Sequence, residues 1–133
     1  MATISYLEYS NRDAVYAKGN FEMGYYDPCG RFCQQSIEKR LKHYIELHGG
    51  PEDLKFLQTH SLGRLYSKVC DLADVPTDLA FRGELSQLTD YYFDTNYPQD
   101  INIELDEDMA KDSLRVLDKA IDWIDTVLLG EEG

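Results

Sequence analysis

The 133-residue sequence has no long apolar run, few cysteines and few positive charges. No stretch approaches the roughly 18 consecutive apolar residues of a membrane-spanning helix. The opening residues, MATISYLEYSNRD, lack the basic and apolar regions of a secretory signal. Three cysteines are an odd number and do not suggest a disulfide framework. We therefore expect a cytoplasmic chain with free thiols and no membrane contact.

Motifs that bind metals or activated phosphates are also missing. Cys29 and Cys33 would share one helix face, but no second Cys or His pair stands at the spacing of a zinc site. The sequence contains no glycine-rich phosphate-binding loop and no GxSxG nucleophile motif. We expect neither a metal nor a cofactor, and buried thiols in place of metal ligands.

Positive charge is scarce, since 13 Lys and Arg face 25 Asp and Glu for a formal charge of −12. Such a surface repels phosphate backbones at long range, so non-specific nucleic-acid binding is not expected. The charge is uneven, and acids dominate residues 100–133. Residues 31–42, by contrast, carry four cations against the single acid Glu38. This segment is predicted to be the one basic island of an acidic protein.

Apolar residues recur at helical spacing along most of the chain, without the alternation typical of strands. The clearest stripe repeats at steps of four and three residues: Ala110, Leu114, Leu117, Ile121, Ile124 and Leu128. On the second helix the buried face is predicted to be Cys33, Ile37, Leu41 and Tyr44, flanked by Phe32 and Ile45. Five such helices predict an all-α, compact up-down antiparallel bundle that forms a single domain over residues 1–133.

Cap and turn residues indicate where the helices begin and end. We expect a first helix within residues 3–24 and a second from the N-cap Asp27 and Pro28 to Gly49. A helical turn within 52–57 and a third helix from His60 or Ser61 should follow. The fourth helix is expected to start from the N-cap Thr77, and the last to run from the N-cap Asp106 to Gly130.

The stretch FCQQSIEKRLKHYI, residues 32–45, places polar residues at regular helical positions. Gln34, Glu38 and Lys42 follow one another at intervals of four, with Gln35 and Lys39 beside them. Glu38 stands four residues before Lys42, the favourable order for a surface ion pair worth about 0.2–0.5 kcal/mol. Spacing alone therefore favours a solvated helix face.

This stretch, the THSL start of the third helix and the later YYFDTNYPQD resemble the HEPN domain family in order and spacing. The matching positions are Gln34, Gln35, Glu38, Lys39 and Lys42 in the first motif, His60 and Leu62 in the second, and Tyr97 and Pro98 in the third. The resemblance extends from about Ala14 to Val127. It implies a short-looped helical bundle, commonly a homodimer, associated with nucleotide or RNA binding. Many members are encoded beside a small nucleotidyltransferase in toxin–antitoxin pairs.

The sequence departs from the ribonuclease members that it resembles. Those members carry an Arg, then four to six other residues, then a His, late in the region of the fourth helix. Here Asn96 stands where Arg often precedes Tyr-Pro, and no Arg precedes His43, His48 or His60 at that spacing. Metal-independent RNA cleavage needs a positioned acid or base and a cation for the developing charge. We therefore expect no catalytic residues.

Two functions stay open from the sequence, with a degenerate ribonuclease as a less favoured third. The first is a binding module that holds a nucleotide or phosphate where the second, third and fourth helices meet, through Lys39, Lys42, His60, Asn96 and Tyr97. The second is a protein-interaction module whose polar face and apolar seam bind a nucleotidyltransferase or another copy of the chain, with no small ligand. A ribonuclease would show cleavage that survives metal chelation and is lost on mutation of His60 or Lys42.

Overall fold

The computed structural model describes residues 5–93 and 106–132. Its elements are α1 (Tyr6–Glu22), α2 (Tyr26–His48), a 3₁₀ helix (Pro51–Gln58), α3 (Leu62–Ala73), α4 (Leu79–Phe93) and α5 (Glu107–Glu132). No strand occurs in these ranges, which confirms the all-α bundle, and the 3₁₀ helix occupies the loop in which a helical turn was predicted. None of the helices described is both long and apolar enough to cross a bilayer.

α2 is the central helix of the bundle, because it packs against every other element. Its predicted apolar face is confirmed: Cys33, Ile37, Leu41 and Tyr44 are all at most 1% exposed. α2 returns along α1 after a tight turn at Gly24, whose φ of 79° lies in the left-handed region that glycine adopts without steric cost. The central position of α2 means that few of its side chains can reach solvent.

The start of α2 differs from the sequence prediction. The helix begins at Tyr26 with Tyr25 as its N-cap, so Asp27 lies in the first turn and does not cap it. The Asp27 carboxylate instead accepts a hydrogen bond from Arg31 Nε at 3.0 Å. Because of the turn at Gly24, the helix begins before Pro28. Asp27 therefore lies too far inside the helix to act as its N-cap.

Two later helix ends also differ, while the start of α5 is as predicted. Asp78, not Thr77, caps α4, because Asp78 Oδ1 accepts the N–H of Phe81 at 3.1 Å. Asp106 Oδ1 accepts an N–H of the first turn of α5 at 3.0 Å, which confirms this N-cap. α5 does not end at Gly130 but continues to Glu132. A glycine favours a helix end without requiring one.

Gly30 lets α4 approach α2 closely. A Cβ at this position would overlap the Tyr92 hydroxyl and the ring carbon that carries it. The Tyr92 side chain is thus buried directly against the α2 backbone, and burial raises the pKa of Tyr92 to about 12. A glycine inside a helix normally weakens it, so its presence here follows from this contact.

The three cysteines are free and buried, as predicted. Cys29 and Cys33 lie one turn apart on α2, and Cys70 lies on α3. The neighbouring Cys29 thiol, together with burial, raises the pKa of Cys33, so the Cys33 thiol stays protonated. These side chains act as small apolar residues of the core.

Candidate functional site

Three of the five motif residues of α2 lie inside the bundle. Gln34 is 0% exposed, Glu38 1% and Lys42 5%. The prediction of a solvated helix face is therefore wrong. The prediction fails because α2 is the central helix and other elements cover it on several sides. The spacing of polar residues does not reveal how many sides of a helix are covered.

The carboxylate of Glu38 is the centre of an ionic cluster. Glu38 Oε2 accepts a hydrogen bond from Lys42 Nζ at 2.9 Å and lies 3.8 Å from Lys39 Nζ. Glu38 Oε1 lies 3.0 Å from Nδ1 of His60, at the start of α3. A buried carboxylate is tolerated only when it is paired and hydrogen-bonded, and these three partners meet that need. The structure thus brings together three of the five predicted ligand-binding residues.

We call Glu38 and its three partners the Glu38 cluster. The three partners differ in how much of each side chain is exposed to solvent. The Lys42 side chain is 6% exposed, whereas Lys39 is 27% and His60 59% exposed. Lys42 neutralises Glu38 from inside the protein. Lys39 and His60 are the members of the cluster that a ligand in solution can reach.

Gln34 fixes the backbone from which His60 projects. Gln34 Nε2 donates to the carbonyl oxygen of His60 at 2.9 Å, and Gln34 Oε1 accepts from Thr89 Oγ1 at 3.3 Å. Thr89 Oγ1 in turn accepts the N–H of Leu62, the first residue of α3, at 3.1 Å. The first motif therefore holds the second in place through hydrogen bonds, and Gln35 lies half-buried beside this network.

Thr89 is a residue that sequence reasoning did not single out. Its hydroxyl joins α4 to both Gln34 and the start of α3. Its position one turn before the end of α4 gave no signal, because an isolated Thr in a helix is usually a surface residue. Asn96, Tyr97 and Pro98, the remaining predicted positions, lie outside the described residues.

The geometry defines how His60 is oriented. The 3.0 Å separation of Nδ1 from the Glu38 carboxylate suits an Nδ1–H that donates to that oxygen, which directs Nε2 away from Glu38. Asp13 lies close enough to Lys39 and Glu38 for their charges to affect it. Burial raises the pKa of Asp13, whereas the positive charge of Lys39 lowers it. Burial, with Glu46 and Glu38, raises the pKa of Tyr6. In its cationic form, with a proton on each ring nitrogen, an imidazole held in this way beside a lysine can donate from Nε2 to a phosphate oxygen.

The predicted basic island of residues 31–42 is largely neutralised in the fold. Each of its cations meets a carboxylate: Arg31 meets Asp27, Lys39 and Lys42 meet Glu38, and Arg40 meets Asp125. The prediction that this segment is the one basic region also needs correction. A second cationic surface lies between the 3₁₀ helix, α3 and α4, where Arg64, Lys68 and Arg82 line one cavity. These residues are dispersed in sequence, so no local charge run marks them.

No group of three or more His, Cys, Asp or Glu side chains in the described ranges has the arrangement of a metal site.

The fold and the cluster together define an all-α module in which a buried Glu–Lys pair supports a histidine at a helix start. The HEPN domain model matches residues 5–127. The chain belongs to the HEPN domain family, a family of helical modules of the nucleotide-binding and ribonuclease type, whose domains often dimerise. Searches of curated proteins and of solved structures found no match.

Proposed function

We propose that the chain is a non-catalytic HEPN module that binds a nucleotide, or another ligand with a phosphate group, at the accessible side of the Glu38 cluster. The observation that supports this is the 3.0 Å contact between His60 Nδ1 and the buried Glu38 carboxylate. It orients an exposed imidazole beside Lys39, in a chain of formal charge −12 that offers few positive positions. Glu38, Lys42 and Gln34 position these groups, and Asn96 and Tyr97 are the further proposed contacts.

The absence of catalysis is part of the proposal. RNA cleavage without a metal needs a cation that stabilises charge on the phosphorus oxygens in the transition state. In the Glu38 cluster the Lys42 ammonium is enclosed, and both lysines share one carboxylate. The sequence also lacks the Arg-to-His spacing of the ribonuclease members that it resembles. The one net positive charge that this pairing leaves can hold a phosphate, but it offers little further stabilisation of the charge that develops in bond cleavage.

The test is calorimetric titration of the full chain with a panel of nucleotides, joined to thermal unfolding. A ligand at 100 times its dissociation constant should stabilise the fold by about 2.7 kcal/mol. We expect His60→Ala and Lys39→Met to weaken binding. Lys18→Met is the control, because Lys18 is exposed and pairs with Asp118 on another part of the surface. A panel without any binding would refute the ligand-binding function.

Catalysis is tested separately with RNA substrates in the presence of a chelator. We expect intact RNA after prolonged incubation with the wild-type chain. Cleavage that survives chelation and disappears in His60→Ala would replace the binding module by a degenerate ribonuclease.

A second candidate function is the binding of a protein partner, and exposed apolar side chains on α1 favour it. Val15 is 68% and Tyr16 45% exposed, and Met23, just past the helix, is 67% exposed. Side chains of this kind on a helix are suited to pack against another protein. The proposed occupants are a second copy of the chain or a small nucleotidyltransferase of a toxin–antitoxin pair in the cytoplasm.

Oligomeric state tests this second candidate. Sedimentation of the wild-type chain, alone and mixed with a nucleotidyltransferase encoded beside it, should give a dimer or a complex. The variant Val15→Lys/Met23→Lys should dissociate it without a loss of helical content. If the chain sediments as a monomer both alone and in the mixture, this interaction is excluded.

A further inference from the structure

A cavity of about 380 Å³ lies between the 3₁₀ helix, α3 and α4, apart from the Glu38 cluster. Its lining residues are Phe56, Arg64, Ser67, Lys68, Asp71 and Arg82. A smaller hollow of about 150 Å³ adjoins it through the shared residues Phe56 and Arg64 and adds Lys55 and Thr59. The larger volume falls in the range of about 300–1,000 Å³ typical of small-molecule sites.

The charge of this cavity, which we call the Arg64 cavity, favours an anion. Lys68 is neutralised by Asp53 at 2.7 Å and also lies 3.4 Å from Asp71. The guanidinium groups of Arg64 and Arg82, in contrast, have no carboxylate partner among the residues that the structure describes. Two unneutralised guanidinium groups in one cavity form a local positive region on an acidic chain.

A buried hydroxyl supplies a second and independent sign of a ligand. Ser67 lines the Arg64 cavity, and its Oγ is buried without a hydrogen-bond partner in the described part of the chain. Buried polar atoms are rarely left without a partner, because the loss of water is then uncompensated. A rotation of the Ser67 side chain about χ1 would turn this hydroxyl toward the cavity, where an oxygen of a bound anion would accept its proton and remove this cost.

The Arg82 side chain lies over the start of α3, where Gly63 makes room for the Ser86 hydroxyl, which a Cβ there would approach to 2.5 Å. A Cβ at Gly63 would lie 3.8 Å from both Cγ and Nε of Arg82, so the Arg82 side chain passes over the start of α3. This path brings the guanidinium of an α4 residue to the cavity that Arg64 and Ser67 line from α3. Three donors from two helices thus converge on one volume.

Phe56 adds an aromatic surface at the junction of the two hollows. The Lys68 and Lys55 ammonium groups lie 5.5 and 5.6 Å from the centre of its ring. An aromatic ring among cations is the arrangement on which a nucleobase stacks while its phosphate is held nearby. The cavity between α4 and α5 lacks this character, since Glu84, Asp108 and Asp112 line it and would repel an anion.

We propose that the Arg64 cavity is a phosphate-binding site, in which Arg64, Arg82 and Ser67 donate hydrogen bonds to the oxygens of a phosphate group carried by a nucleotide whose base stacks on Phe56. This site is separate from the Glu38 cluster, and its existence does not depend on the function proposed there. Guanidinium groups match phosphate geometry through paired N–H donors, which explains the use of arginine at both positions.

The experiment is calorimetric titration of the full chain at low ionic strength with two probes, pyrophosphate and adenosine monophosphate. Arg64→Gln/Arg82→Gln should weaken the binding of both probes about tenfold or more. Both arginines are exposed, so the variant is expected to fold, and its unfolding curve checks this. Failure of both probes to bind the wild-type chain, or unchanged binding by the double variant, would overturn the proposal.

Two further variants sharpen the result. Asp71→Asn removes an exposed acid from the cavity and should tighten pyrophosphate binding, a gain that misfolding cannot produce. Arg12→Gln/Lys18→Gln, at two exposed positions of α1, removes the same two positive charges from a helix that does not line the cavity, and should change neither affinity by more than about twofold. If Arg12→Gln/Lys18→Gln weakened binding as much as Arg64→Gln/Arg82→Gln, the effect would be one of net charge and would contradict a specific site.

Phe56→Leu distinguishes the source of the phosphate. The leucine keeps apolar packing but removes the stacking surface, so adenosine monophosphate should bind about fivefold more weakly or worse, while pyrophosphate is unaffected. Equal affinities for adenosine monophosphate in Phe56→Leu and wild type would overturn the stacking and leave a site for free phosphate.

The same titration separates this site from the Glu38 cluster. Nucleotide binding lost in His60→Ala but retained in Arg64→Gln/Arg82→Gln would refute the Arg64 cavity and support the proposed function. The reverse pattern would support the Arg64 cavity and refute ligand binding at the Glu38 cluster.

Discussion

Arg40 of α2 holds Asp125 of α5 through two parallel hydrogen bonds, Nε to Oδ1 and Nη2 to Oδ2, each 3.1 Å long. The same guanidinium donates from Nη1 to Ser10 Oγ at 3.1 Å and to Asn11 Oδ1 at 2.8 Å. One buried cation therefore joins three helices. This use of Arg40 explains why a segment rich in positive charge does not produce an equally positive surface.

Replacing Arg40 by Lys should destabilise the fold although the charge is kept. A single ammonium cannot make two parallel bonds to Asp125 and also reach α1, so we expect a loss of about 1–3 kcal/mol in the free energy of unfolding. Urea titration measures it. Lys18→Gln is the matched control, because the Lys18–Asp118 pair is 58% and 64% exposed and should contribute less than about 1 kcal/mol. Equal effects of the two variants would contradict the role of Arg40.

Glu38→Gln should be among the most destabilising conservative changes in the chain. It leaves the Lys42 ammonium buried without its charge partner, which we expect to cost about 3 kcal/mol, since removal of one partner of a buried pair typically costs 3–5. The double variant Glu38→Gln/Lys42→Met should recover much of this loss, because no buried charge is then left unpaired. The prediction fails if the double variant is less stable than Glu38→Gln, as measured by urea unfolding.

Gly30→Ala and Gly83→Ala should change stability in opposite directions although both glycines are helical. The new methyl at position 30 would overlap the Tyr92 side chain, so we expect a loss of about 1–3 kcal/mol. At position 83 no atom lies within 4 Å of the new methyl, and the better helix propensity should add about 0.5–1 kcal/mol. Thermal unfolding of both variants measures the difference. A stabilising Gly30→Ala would show that Tyr92 does not pack on α2 as described.

Asp53 should contribute to the loss of stability in acid. Its hydrogen bond from Lys68, and then that from the Gly50 N–H at 2.9 Å, lower the pKa of Asp53 in the folded state. Because the folded pKa is below the unfolded one, this contribution is complete above the unfolded pKa. It is lost as the pH falls below about 4 and through the folded pKa.

The measurement is the melting temperature of wild type and Asp53→Asn as a function of pH. The difference between them should be largest at neutral pH and shrink as the solution is acidified below about pH 4. A difference that stays constant over that range would show that the Asp53 carboxylate is not stabilised by Lys68.

Local features of the sequence predicted the parts of the fold that depend on neighbouring residues. The apolar face of α2, a start of α3 near Ser61 and the N-cap Asp106 were all visible, because periodicity and capping act over about four residues. The predicted N-caps Asp27 and Thr77 were wrong, and they show what such local features cannot decide. Several residues nearby could serve as the cap there, and the path of the preceding turn selects among them.

The functional arrangement depends on contacts that the sequence cannot rank. Gln34, Glu38 and Lys42 form a polar row with the spacing of a solvated face, and only the packing of the other elements around α2 turns that row into a buried cluster with His60. Arg64 and Arg82 converge because α3 and α4 pack together at Gly63. By itself the sequence therefore determined the helices, their order and the motif positions on them. The tertiary structure alone decided which charges are neutralised inside the bundle and which remain available at its surface, because burial and ion pairing arise from elements distant in the chain.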